Sequence, residues 1–120
     1  MLEKPIPKKI EKPWGYELIW AHTENYVAKI LFVKAGQALS LQFHQFKEET
    51  LFVESGECTI ETGPDASHLS PQTYKHGDTF HVPPRKIHRI IASTDCRIFE
   101  VSTPQLTDVI RLEDRYGRSS

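Results

Sequence analysis

Gly36-Gln-Ala-Leu-Ser-Leu-Gln-Phe-His-Gln-Phe-Lys-Glu-Glu-Thr-Leu-Phe-Val-Glu-Ser-Gly56 is the stretch on which the fold turns. Ser40, Gln42 and His44 occupy alternate positions, so in a strand they share one face, while Leu39, Leu41 and Phe43 share the other. Strand formers resume at Glu49-Thr-Leu-Phe-Val. A hairpin whose loop is Gln45 to Glu48 sets Glu49 opposite His44, with Cβ atoms roughly 5 Å apart. Gln42, His44 and Glu49 then aim an amide oxygen, an imidazole nitrogen and a carboxylate at one spot, a donor set that suits a divalent metal. Glu48 is the rival carboxylate. Parity favours Glu49, which shares a face with Leu51 and Val53, while Glu48 falls in the loop.

Outward from this stretch the pattern stays β. Strands are expected over 14–20, 26–33, 39–44, 49–54, 58–62, 73–75, 79–82, 87–92 and 97–102, with a last strand or helical turn over 108–113. Turns fall at 34–37, where Gly36 can take a positive φ, and at Ser55-Gly56, His76-Gly77-Asp78 and Pro83-Pro84. Residues 63–71 make the longest loop. No long helix and no repeat is visible, so many short strands imply a β-sandwich or barrel. Residues 1–13, with four lysines and three prolines, read as an extended N-terminal arm. The apolar face of Leu39, Leu41 and Phe43 needs a cover, either that arm or a second subunit. A homodimer is favoured, since two-fold pairs are the commonest assemblies.

A chain of 120 residues with 38% hydrophobic content supports one domain, here 14–118 after the arm. Fifteen basic and sixteen acidic residues balance to a net charge of -1, which gives no reason to expect nucleic acid or an anionic membrane surface as partner. Cys58 and Cys96 are too few for a disulfide framework and read as free thiols in a cytoplasmic protein. The start is polar and broken by prolines, with no apolar run of signal or membrane-spanning length.

A second cluster, Gly77, Pro83 and His88, completes a pattern. Gln42-x-His44, Glu49 and Gly56, followed by Gly77, Pro83 and His88, resemble the two-part signature of the cupins. Arg85 stands where that signature usually has glycine, and Ala92 where it has asparagine. The resemblance implies an all-β double-stranded β-helix, the small jelly-roll barrel, with a metal inside held by Gln42, His44, Glu49 and His88. More narrowly, the chain is similar to the C-terminal cupin domain of type II mannose-6-phosphate isomerases, usually fused to a mannose-1-phosphate guanylyltransferase. Lys12-Pro13-Trp14-Gly15, the run Leu39-Ser40-Leu41-Gln42-x-His44, Lys29 ahead of its turn, and the closing Arg111-Leu112-Glu113-Asp114-Arg115-Tyr116-Gly117-Arg118 carry that similarity. The family's continuation after the first histidine, His-His-Arg-Ala-Glu-His-Trp, is here Gln45-Phe46-Lys47-Glu48-Glu49-Thr50-Leu51. No nucleotidyltransferase segment accompanies these residues.

The resemblance implies a metal-dependent isomerase acting on a sugar phosphate such as mannose 6-phosphate, with zinc first and iron, manganese or nickel as alternatives. Its base would be Lys29, if that side chain faces the cavity rather than snorkelling to solvent, or else His81, which otherwise is a surface histidine. Arg89, Arg111 and Arg118 are the candidates for the phosphate, the last two because they match the closing run. Two other readings remain. His44, Glu49 and His88 alone make the facial triad of a cupin dioxygenase, and the lost histidines suit a sugar-binding cupin without turnover.

Overall fold

The computed structural model describes residues 4–118. In chain order its strands are β1 (Lys8–Lys12), β2 (Gly15–His22), β3 (Val27–Val33), β4 (Leu41–Phe43), β5 (Glu49–Ser55), β6 (Glu57–Gly63), β7 (Ser70–Lys75), β8 (Thr79–Val82), β9 (Ile87–Ala92), β10 (Cys96–Ser102) and β11 (Ile110–Glu113). They form two antiparallel sheets, β1-β2-β3-β10-β5-β8 and β11-β4-β9-β6-β7. This is the cupin double-stranded β-helix expected from the motifs.

Period-2 alternation builds the interior. In β10, Cys96, Ile98, Glu100 and Ser102 are buried while Arg97, Phe99 and Val101 face out. The buried series changes character along each strand. Val33 and Leu31 of β3, Val53 and Leu51 of β5, Cys96 and Ile98 of β10, and Ala92 and Ile90 of β9 join one apolar cluster. The next inward positions on the same strands are Lys29, Glu49, Glu100 and His88, all buried and all polar. Neighbour pairing sets Glu100 level with Lys29 on β3 and with Leu51 on β5, and Glu49 lies one inward position further along, opposite Ser102. The barrel therefore has an apolar end that carries the fold and a charged end that carries the site.

Three expectations need correction. The segments around 39–44 and 49–54 are strands but not a hairpin. β4 sits in the five-stranded sheet, paired with β9 and β11, and β5 sits in the other sheet, paired with β10 and β8. Residues 45–48 cross between sheets, so His44 meets Glu49 across the barrel interior. The N-terminal arm is not a free extension over its whole length: Lys8 to Lys12 pair in register with Ile19 to Gly15 as the outermost strand. Its prolines, Pro5, Pro7 and Pro13, flank that strand and remove no donor from it. The face of Leu39, Leu41 and Phe43 is not an open apolar face either. Leu39 turns inward onto the core and Leu41 is completely buried within the single chain.

The backbone rewards one departure from the motif with strain. Arg85 has φ +67°, the only positive φ of a non-glycine among the described residues. A Cβ in that region costs roughly 1–2 kcal/mol. Its amide nonetheless donates to the His44 carbonyl at 2.6 Å and so fastens the Pro83–Arg85 turn to the site.

Candidate metal centre and its charged cavity

His44 directly follows β4, Glu49 opens β5 and His88 lies on β9, with Gln42 directly opposite His88 in the ladder. One ligand atom from each of His44, Glu49 and His88 lies within 4.8 Å of the other two, and all three residues are buried. Glu49 Oε1 is 3.2 Å from His44 Nε2 and 3.5 Å from His88 Nε2. Two donors bound at about 2.1 Å to one zinc ion in tetrahedral geometry would sit about 3.4 Å apart, so this spacing fits a metal.

The outer contacts fit as well. His44 Nδ1 donates to the Asp108 carbonyl at 2.6 Å, and His88 Nδ1 to the Lys86 carbonyl at 2.8 Å. A carbonyl only accepts, so both rings carry hydrogen on Nδ1 and turn Nε2 toward Glu49. Two imidazole lone pairs facing one carboxylate repel each other unless a cation lies between them. Burial opposes ionisation of Glu49, but the adjoining His44 and His88 rings and the nearby Lys47 ammonium hold its carboxyl well below the usual range. Gln42 lines the same cavity, and its Oε1 accepts from Ser40 Oγ at 2.9 Å.

Behind Glu49 lies a buried charge group that the sequence reading passed over. Lys47 Nζ sits 3.3 Å from Glu49 Oε2 and 3.1 Å from Glu100 Oε2. Burial works against the Lys47 charge, yet Glu100 and Glu49 hold its ammonium above the usual lysine range. Burial, and then the Glu49 carboxylate, push Glu100 up to about 7 against the pull of Lys47. The crossing loop that carries Lys47 is tied down by Asp108, whose carboxylate accepts from the amides of Gln45, Phe46 and Lys47 at 3.1, 2.7 and 2.9 Å. Asp108 thus orients both the His44 ring, through its carbonyl, and the Lys47 loop, through its side chain.

The cavity in front of the cluster has a volume of about 100 Å³. Lys29 reaches it, buried, with Nζ 3.5 Å from Glu17 Oε2. Arg111 and Arg118 line it too, and Arg118 is clamped to Asp114 by two bonds, Nε–Oδ2 at 3.1 Å and Nη2–Oδ1 at 2.8 Å. His81 does not reach it: on β8 it points outward, exposed, and pairs with Glu48 at 2.6 Å. Arg89 does not either. It has the parity opposite to His88 on β9 and is bound to Glu61 and Glu113 at 2.8 and 3.2 Å. Glu48 is exposed, so of the two rival carboxylates it is Glu49 that lines the cavity. Glu100 was legible by parity, as a charge on the apolar face of its strand. Lys47 and Lys12 were masked by their assignment to a loop and an arm.

Residues 3–114 match the family described as mannose-6-phosphate isomerase C-terminal. The mannose-1-phosphate guanylyltransferase RfbM of Salmonella typhimurium is 27% identical over 119 residues, covering 93% of this chain and 23% of that protein. The xanthan biosynthesis protein XanB of Xanthomonas campestris is 28% identical over 118 residues, covering 93% and 24%. The chain thus spans about a quarter of the length of these curated relatives. Among solved structures, the S161A mutant of Bacillus subtilis oxalate decarboxylase superposes with TM-score 0.73 at 18% identity, over 88% of this chain and 30% of the other. The capsular polysaccharide assembling protein CapF of Staphylococcus aureus gives 0.72 at 17% identity, over 92% and 35%. At such identities the likeness speaks to the fold. No helix of the described residues is long and apolar enough to cross a membrane.

Proposed function

The chain belongs to the mannose-6-phosphate isomerase C-terminal family, and on that premise we propose that it is a metal-dependent sugar-phosphate isomerase, interconverting an aldose and a ketose of the mannose 6-phosphate type. The observation that carries this reading is the convergence of His44, Glu49 and His88 with both Nδ1 atoms tied to carbonyls. Gln42 completes the ligand set. Zinc is the first choice, with iron, manganese or nickel as alternatives. Manganese gains weight from the Mn(II) centres named for Bacillus subtilis oxalate decarboxylase.

When bound, the metal would polarise the neighbouring carbonyl and hydroxyl oxygens of the sugar. The remaining work falls to the chain. Lys29, acting as the neutral amine, takes the proton from C2 and returns it to C1 while the O2 hydroxyl proton passes to O1, with Glu17 beside its Nζ. Arg111 and Arg118 attract the phosphate. The reacting end of the sugar faces the metal ligands while its phosphate meets Arg111 and Arg118, which line the same cavity. Free Cys58 and Cys96 accord with the reducing cytoplasm. A homodimer would use the outer face of the six-stranded sheet, where Phe52 and Phe99 stack at 6.2 Å and Val101 is 56% exposed. Phe99→Glu then yields monomers in sedimentation, and a monomeric wild type removes the dimer.

The test is metal analysis of the purified protein with a coupled assay on mannose 6-phosphate and fructose 6-phosphate. Turnover that is lost on chelation and in Gln42→Ala and His88→Ala supports the reading. Variants that match wild type refute those ligand roles. Sugar binding without turnover supports the non-catalytic cupin instead. A second reading draws on the three-donor cluster itself, which matches a 2-His-1-carboxylate oxygenase site. Iron as the native metal, with oxygen uptake, would support it.

A further inference from the structure

Lys12 is the cation of the cavity with no work to do inside the protein. It closes β1, is half-buried, and lines the cavity with Lys29, Arg111 and Arg118. Among the described residues its ammonium makes no ion pair or hydrogen bond. Glu17 is the acid whose charge reaches it, but Glu17 is engaged with Lys29 at 3.5 Å. The position of Lys12 is built, not incidental. Its backbone pairs with Gly15, Trp14 between them is 3% exposed in the core, and the Trp14 carbonyl accepts from Lys34 N at 2.9 Å. Gly15 sits so close to β3 that an added Cβ would fall 1.9 Å from the Phe32 carbonyl oxygen.

A half-buried ammonium held beside three other cations, with its one acid already shared, gains most when an anion joins it. We propose that Lys12, together with Arg111 and Arg118, forms the subsite that binds the phosphate of the substrate, an assignment that rests on the sugar-phosphate reading. Burial pulls Lys12 below its usual range; Glu17 opposes this, while Arg118, Lys29 and Arg111 add to it. A bound dianion reverses that balance. The strand that looked like a tail would thus supply one wall of the substrate site.

Titration calorimetry with inorganic phosphate, on the purified full chain, tests this. Lys12→Met should weaken phosphate binding by roughly 10- to 100-fold, the worth of one charge-assisted hydrogen bond. Lys12→Arg should keep it within a few-fold. Lys8→Met, which removes an exposed charge from the same strand, should leave it unchanged, and neutral mannose should bind wild type and Lys12→Met alike. Phosphate binding equal in Lys12→Met and wild type overturns the role of Lys12 and leaves the isomerase reading to its own assay. Equal losses in Lys8→Met and Lys12→Met overturn it too, since net charge alone would then account for the effect. A wild type that turns over mannose 6-phosphate but does not bind phosphate overturns the subsite while sparing the reaction.

Discussion

Lys47→Met removes the cation at the back of the site. Its ammonium lies 3.1 and 3.3 Å from Glu100 and Glu49, and its side chain is only 6% exposed. The substitution keeps the length of the side chain but leaves two carboxylates buried against each other. Removing one partner of a buried ion pair costs about 3–5 kcal/mol. For a domain of this size each kcal/mol shifts Tm by about 3–6 °C, so Tm should fall on the order of 10–30 °C. Glu100→Gln added to Lys47→Met should recover more than half of that loss, because an amide needs no counter-ion. Urea unfolding at pH 7 in chelator, followed by far-UV circular dichroism, measures both variants. The midpoint should move with an unchanged slope. A cost below about 1 kcal/mol, the range of exposed pairs, would refute the idea of a buried charge group. So would a double variant as unstable as the single one.

Glu100 also sets a pH dependence. Its carboxyl is raised from 4.5 to about 7 in the folded chain, so the native state keeps a proton that the unfolded state releases. Its stabilising contribution is complete below pH 4.5 and is lost as pH rises to about 7, at about 1.4 kcal/mol per pH unit or roughly 3 kcal/mol in all. Glu100→Gln should flatten the stability curve over that window; an unchanged slope would sink the assignment. Arg85→Gly should raise stability by about 0.5–1 kcal/mol, as relief of the left-handed strain outweighs the added chain entropy, and a lower Tm would show that the side chain has a role of its own. Zinc at one hundred times its dissociation constant should stabilise the chain by about 2.7 kcal/mol. EDTA should reverse this, and His88→Ala should show no zinc-dependent shift in differential scanning fluorimetry.

Parity carried most of what could be read from residues alone. It put Gln42 and His44 on one face and preferred Glu49 to Glu48, and the cavity holds these three together with Lys29, whose direction the sequence leaves open. It stops at the ends of strands. Whether 39–44 and 49–54 pair with each other or belong to different sheets leaves their side-chain alternation unchanged, so the sequence could not distinguish a hairpin from a crossing. The same blindness hid Lys47, whose inward position depends on the amide bonds to Asp108, 61 residues away. Lys12 was hidden by prolines that stop a helix yet permit an edge strand. His81 and Arg89 show the opposite error: a titratable or cationic side chain was selected for its chemistry while its strand phase pointed it away.

The lengthwise division of the barrel, hydrocarbon at one end and ionisable groups at the other, separates what keeps the protein folded from what it does. Substitutions at the ionic end can retune the ligand while Ile90, Val53 and Ile98 continue to hold the walls together. The cost falls on the empty protein, whose open end is an array of charges in mutual tension. Such a rim should breathe when vacant and stiffen on loading, so that amide exchange around residues 42–49 and 100–111 slows with ligand while exchange around Val33 and Cys96 does not.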